Sequence, residues 1–175
     1  MHVYGLHKHM LERGHGSLVN IERRNSVQQV LTRLDRDGYV TSAPPEGGRR
    51  ILFAVTEAGR GLFLDWLRTE VTRPFEEHPR FPVAVSLLGY LPPREASELL
   101  TRRRTELAVA AEDRARELEE RGELPRVLLL EVELKLALVR AELAWLDRVL
   151  DGLRDGSLTW DPDELRALAA SLQGA

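Results

Sequence analysis

The chain has 175 residues, no cysteine, 43% hydrophobic residues and a formal net charge of -3. That length supports one or two small domains with cores of their own. The missing thiols exclude a disulfide scaffold, thiolate zinc or iron–sulfur sites and a cysteine nucleophile. No apolar stretch approaches the ~20 residues that span a bilayer, and the chain does not open as a secretory leader does. A cytoplasmic protein with no membrane partner is therefore expected. The net charge hides a split. Residues 1–73 hold 11 Lys and Arg against 8 Asp and Glu, a net +3, with four of the five histidines. Residues 74–175 hold 14 against 20, a net -6. A basic front and an acidic rear suggest two tasks, one involving a polyanion.

In chain order, His2–Leu11 reads as a short helix carrying Tyr4, Leu6, Met10 and Leu11, closed by Gly14 and Gly16. Asn25 has the form of an N-cap, with Gln28 as its capping-box partner. From Ser26 to Asp37, Val27, Val30, Leu31 and Leu34 recur at helical spacing, and Gly38 stops the helix. Tyr39–Ser42 and Arg50–Val55 read as two strands around the Pro/Gly-rich turn Ala43–Gly48. Thr56 is the expected N-cap of a helix through about Thr72, with Leu62, Phe63, Trp66 and Leu67 on its inner face. The front half, residues 1–73, thus reads helix, helix, hairpin, helix.

Pro74, Pro79 and Pro82 mark a boundary. Beyond it, Val83–Tyr90 is a short apolar helix, Arg94–Arg121 a long charged one, and Arg126–Leu153 another long helix after Gly122 and Pro125. Leu130, Leu134, Leu138, Ala141, Trp145 and Val149 repeat along the last at three to four residues. Two long helices joined by a tight turn form an antiparallel hairpin. Their apolar stripes are too wide for two helices to bury alone. A coiled-coil-like partner helix from a second copy is expected, which makes residues 74–175 a dimerisation domain. Trp160 and one more short amphipathic helix close the chain, and there are no repeats or low-complexity segments.

On a wheel at 100° per residue, Val27, Val30, Leu31 and Leu34 fall within one arc of about 100°. Gln29, Thr32, Arg33 and Arg36 cluster opposite, with Ser26 and Gln28 on the flanks. Gln and Arg carry donors and acceptors that read base edges in a major groove, while hydroxyls and the helix N-terminus suit phosphates. Any surface helix also has a polar outer face, so the wheel alone does not decide. The hairpin adds weight: Gly47-Gly48-Arg49-Arg50 sets two guanidiniums beside a flexible turn. Helix, hairpin, helix with a basic tip is the winged helix-turn-helix layout. Arg23 and Arg24, just before the N-cap, would meet phosphates.

These residues resemble the PadR family of transcriptional regulators. His2-Val3-Tyr4-Gly5-Leu6 looks like the start of that family's second helix, and Asn20–Leu34 is similar to its recognition-helix stretch. Gly38-Tyr39-Val40 and Leu52–Arg60 match the exit from that helix and the second wing strand. Phe81–Ser86, Leu129–Val139, Ala141–Trp145 and Leu158–Asp161 resemble its C-terminal helices. The resemblance implies a mainly α fold with a small β-hairpin wing: a winged helix-turn-helix plus a C-terminal antiparallel helical dimerisation domain. It also implies a homodimeric regulator, most often a repressor, on a pseudo-palindromic site in double-stranded DNA. A small aromatic or drug-like effector is implied near the junction of the domains. Trp66, Phe75, Phe81 and Trp145 are the aromatics that would line its site, although packing in a core or interface is the commoner role for such residues.

Three features depart from the family. Gln28 stands where members usually have tyrosine, the wing is short, and Met1 sits where a full first helix should already have passed. Without that helix the next two would lack a lid, unless translation begins upstream or another segment or the dimer partner covers them. No histidine spacing matches a zinc signature, no serine sits in a nucleophile elbow, and Gly47-Gly48 lacks the lysine and helix of a phosphate loop. No enzyme, cofactor or metal is expected. The competing account is a helical homodimeric interaction module without DNA-binding activity.

Overall fold

A computed structural model of the chain describes residues 2–12, 24–44, 51–74 and 80–173. They divide into two compact units, Met1–Glu76 and Glu77–Ala175. The first unit contains α1 (Val3–Glu12), α2 (Arg24–Arg36), β1 (Val40–Ala43), β2 (Leu52–Val55) and α3 (Glu57–Thr72). The strands pair antiparallel, with Val40 opposite Val55 and Ala43 opposite Leu52. His2 adds an antiparallel bridge to Leu52. Val27 and Leu31, each 8% exposed, form the core of this unit, with Val3, Leu6 and Phe53 packed around them.

The end of α2 is fixed by a Schellman motif. Gly38 lies in the left-handed region at φ +79°, where a Cβ would be strained. Its N–H donates to the Asp35 carbonyl, and the Tyr39 N–H reaches back to Leu34. The Thr56 hydroxyl then joins the end of α2 to the start of α3. It donates to the Gly38 carbonyl at 2.8 Å and accepts the Gly59 N–H at 3.0 Å, capping α3. The Thr56 N–H donates to the Tyr39 carbonyl. Gly59 is there because a Cβ on it would stand 2.0 Å from the Tyr39 carbonyl oxygen.

Three expectations for this unit fail. Asn25 is inside α2, which starts at Arg24, and not before it as an N-cap would be; its side chain lies outside the described residues. The apolar spacing marks the helix interior and not its first turn, where ends are set by local solvation. Val30, at one rim of the apolar arc, is 49% exposed instead of buried, whereas Leu31 at the other rim is 8% exposed and packs into the core. On α3, Leu62, Phe63, Trp66 and Leu67 are all exposed, since only Gly59 at its first turn is buried. The periodicity correctly marks an apolar face, yet no described residue of this unit covers it.

The second unit contains α4 (Arg80–Ser86), a 3₁₀ turn (Leu88–Tyr90), α5 (Pro93–Glu120), a 3₁₀ turn (Arg126–Leu128), α6 (Leu130–Asp155) and α7 (Pro162–Gln173). Helices predicted at Val83–Tyr90 and Arg126–Leu153 are each split by a 3₁₀ turn. At the second, the Leu128 N–H donates to Pro125 and Leu129 to Arg126 before the α-helix begins. Helices α5 and α6 run antiparallel, stapled by Arg103–Glu142 and Arg104–Asp147, each at 2.5 Å. Leu100, Leu146 and Leu150 form the core between them, with Phe81, Leu88, Trp145 and Val149 packed against it. Gly156, left-handed at φ +79°, ends α6. The Trp160 indole N–H then donates to the Leu91 carbonyl at 2.8 Å, fastening the tail.

Two neighbouring glycines on α3 make opposite predictions. Gly59→Ala drives a methyl into the Tyr39 carbonyl and should destabilise the first unit by about 1–3 kcal/mol. Gly61→Ala meets nothing within 4 Å and should stabilise it by roughly 0.5–1 kcal/mol. Hydrogen exchange at the Thr56 amide reads both: protection should fall for the first substitution and hold or rise for the second.

Candidate nucleic-acid interface and a cleft in the second unit

Helix α2 buries Val27 and Leu31 and turns Gln28, Gln29, Thr32, Arg33 and Arg36 to solvent. The clasp at Gly38 and Thr56 fixes how that polar face sits against the hairpin. The Ser42 hydroxyl adds a second tie by donating to the Asp35 carboxylate at 2.6 Å. Thr32 points its hydroxyl back to the Gln28 carbonyl at 3.0 Å. Helical Ser and Thr often bond this way, and the proton must turn outward before it can meet a phosphate. Arg24 and Ser26 are in the first turn of α2, but their side chains lie outside the described residues. Arg23, Arg49 and Arg50 lie outside them altogether.

Arg36 is not a bare cation. Its Nε donates to Asp37 Oδ1 at 2.8 Å, and this hydrogen bond raises the guanidinium pKa above its ordinary value. The same bond, more than the surrounding charge, lowers the Asp37 carboxyl below its ordinary value. The wheel missed this partner because Asp37 follows the last helical residue; adjacency in sequence was the available signal.

The predicted aromatic cluster is only partly assembled. Phe81 and Trp145 meet edge to face, with ring centroids 5.9 Å apart. Trp66 belongs to the first unit, exposed beside Phe63, and Phe75 lies outside the described residues. Phe81 and Trp145 line a cleft of about 600 Å³ with Pro82, Val85, Arg103 and Glu142. The Arg103 guanidinium carbon sits 3.5 Å from the centre of the Phe81 ring. The sequence alone singles out neither member of the Arg103–Glu142 pair.

The predicted dimerisation stripe divides in two. Leu130, Leu134 and Leu138 are 49%, 61% and 62% exposed, and Ala141 is exposed beside them. Trp145 and Val149 instead pack against the core of their own chain. The heptad-like spacing drifts around a straight helix, so one stripe faces different neighbours at its two ends. Among the described residues, no three His, Asp or Glu side chains are grouped to hold a metal. No described helix is long and apolar enough to cross a membrane.

This is the architecture of a winged helix-turn-helix protein with an appended helical unit. No family model and no curated protein sequence matches the chain. Solved structures do. Bacillus subtilis PadR in complex with operator DNA is 18% identical, covers 87% of this chain and 89% of its own, and gives a TM-score of 0.71. A PadR-like transcriptional regulator from Bacillus cereus is 14% identical over 76% of this chain and 78% of its own, at 0.58. Bacillus subtilis PadR in complex with p-coumaric acid is 18% identical over 75% and 79%, at 0.60. The chain has the fold of these PadR and PadR-like proteins.

The Arg36–Asp37 pair gives a prediction independent of any ligand. Followed by carboxyl-carbon NMR, Asp37 should titrate below its ordinary value of 3.8, and Arg36→Ala should return it there. A carboxyl depressed in the fold stabilises above its unfolded pKa. The contribution of this pair therefore fades as pH falls through the depressed value. Titration of Asp37 at the ordinary value in the unsubstituted protein would refute the pairing.

Proposed function

We propose that the chain is a DNA-binding transcriptional regulator, acting as a homodimeric repressor on a pseudo-palindromic operator in the cytoplasm. The observation that carries this reading is the exposed Gln28, Gln29, Thr32 and Arg33 face of α2, held at a fixed angle to the hairpin. The likeness of fold to a PadR solved on operator DNA supports it. On this reading residues 1–73 are the DNA-binding domain and α2 enters the major groove. Gln28, Gln29 and Arg33 read base edges, while Ser26, Thr32, Arg36 and the arginines at 23, 24, 49 and 50 hold phosphates. Residues 74–175 dimerise through Leu130, Leu134, Leu138 and Ala141, whose exposure on one helix face supports a second copy as the partner. Trp145 and Val149 leave that interface set, since their own chain holds them. Two-fold pairing then requires two half-sites related by the same symmetry. A small effector that shifts the dimer between DNA-competent and released arrangements belongs to the same reading, supported by the PadR structure holding p-coumaric acid.

A gel-shift titration against the DNA upstream of the chain's own coding sequence tests this. Log affinity should fall linearly with log salt, as arginines displace counterions from phosphates. Gln29→Ala should flatten preference at particular base pairs, whereas Arg33→Ala should weaken binding by roughly 1–3 kcal/mol. Asp37→Asn, by removing the carboxylate that competes for Arg36, should tighten binding with the salt slope little changed. Weak binding that ignores sequence would leave the helical interaction module as the better account. Sedimentation of Leu134→Glu should show a monomer where the parent is a dimer, because a charge in an apolar helix seam is not tolerated.

A further inference from the structure

Arg103 occupies the cleft between α4, α5 and α6 as a ligand would. Its guanidinium carbon lies over the Phe81 ring, 3.5 Å from the centroid, and its Nε donates to Glu142 at 2.5 Å. Trp145 flanks the site, its ring nearly perpendicular to that of Phe81 with centroids 5.9 Å apart. A face, a carboxylate and a flanking indole are the three elements that recognise a planar cation. The cleft, at about 600 Å³, is of the size that holds small organic ligands. A second cavity of about 550 Å³ shares Phe81, Val85 and Arg103 with it and is otherwise walled by Leu87, Leu88, Leu99 and other apolar residues.

We infer that Arg103 is an internal plug, and that the cleft takes a small amphipathic ligand whose planar cationic head displaces it from Phe81 and Glu142. This deepens the effector reading above and rests on it for its regulatory meaning. Arg103 and Glu142 are the charged groups lining the two cavities. An anionic ligand would pair with Arg103 but lie beside the Glu142 carboxylate that Arg103 already holds. A cationic one leaves Glu142 paired. The released guanidinium, already 36% exposed, swings to solvent on its long stem, with exposed Glu106 one turn further along α5. The apolar tail enters the second cavity once Arg103 no longer divides it from the first. The preferred charge is opposite to that of the acid held by Bacillus subtilis PadR.

Calorimetric titration of the full chain without DNA, using three probes of one shape, tests the inference. They are para-butylbenzamidine, the neutral para-butylbenzamide and the anionic para-butylbenzoate. The amidine should bind tightest and the benzoate weakest, with roughly tenfold between them. Glu142→Gln should cost the amidine roughly tenfold and leave the amide unchanged, while Arg103→Ala should tighten the amidine. The two substitutions act in opposite directions, so a general loss of folding cannot imitate the result. Equal or tighter binding of benzoate, weaker amidine binding by Arg103→Ala, or no heat from any probe would overturn it. Operator binding is read separately by gel shift: failure there removes the regulator reading and leaves the cleft's preference for a cation intact.

Discussion

The Thr56 hydroxyl holds the first unit together. It accepts the Gly59 amide and donates to the Gly38 carbonyl, linking the start of α3 to the end of α2 across eighteen residues of hairpin. Both partners are glycines for separate reasons, one left-handed and one pressed against the Tyr39 carbonyl. Only two large side chains, Val27 and Leu31, are buried among the described residues of this unit. Burial of one such side chain is worth ~1.5–3 kcal/mol, which makes for a thin core. Hydrogen bonds at the junction therefore set geometry that a larger core would otherwise impose by packing.

The second unit solves a different problem. Helix α6 is apolar on two faces: Val132, Leu136, Leu146 and Leu150 are buried, while Leu130, Leu134 and Leu138 stand exposed. One neighbour cannot cover both faces of a helix, and α5 covers the first. Packing of Leu100 against Leu146 and Leu150 sets the register of α5 against α6, and the ion pairs at Arg103 and Arg104 conform to it. The exposed leucines are thus presented on a helix whose orientation is already determined by its other side.

Sequence legibility followed the range of the signal. Gly38 and Thr56 were readable because turn and cap chemistry is local, and the order helix, helix, hairpin, helix followed from them. Asn25 misled because capping residues are also tolerated inside a first turn, and nothing local marks which role applies. Leu62, Phe63, Trp66 and Leu67 were correctly seen as one apolar face, but periodicity identifies a face without saying what covers it. The stripe from Leu130 to Val149 divided for the same reason: spacing is one-dimensional, and its two ends have different neighbours. Arg103 and Glu142, thirty-nine residues apart, could be joined only by knowing how two long helices align.

Charge counting overstates what the basic front offers a polyanion. Arg36 and Arg68 each hold a nearby carboxylate, Asp37 and Asp65, and both pairs are well exposed. Exposed pairs of this kind contribute little, so they neither hold the fold nor resist an external competitor. On the proposed reading their effect is on selectivity. A phosphate in an ordinary solvated setting displaces such a carboxylate with little gain, whereas one positioned by other contacts displaces it cheaply. On the proposed reading, Asp37 makes Arg36 respond to a docked duplex more than to free anions, because the duplex arrives already oriented by α2. Arg103 follows the same logic in the cleft, where Glu142 holds a guanidinium in place until a better-fitting cation arrives. The net +3 of residues 1–73 is therefore less informative than which of its arginines already have a partner.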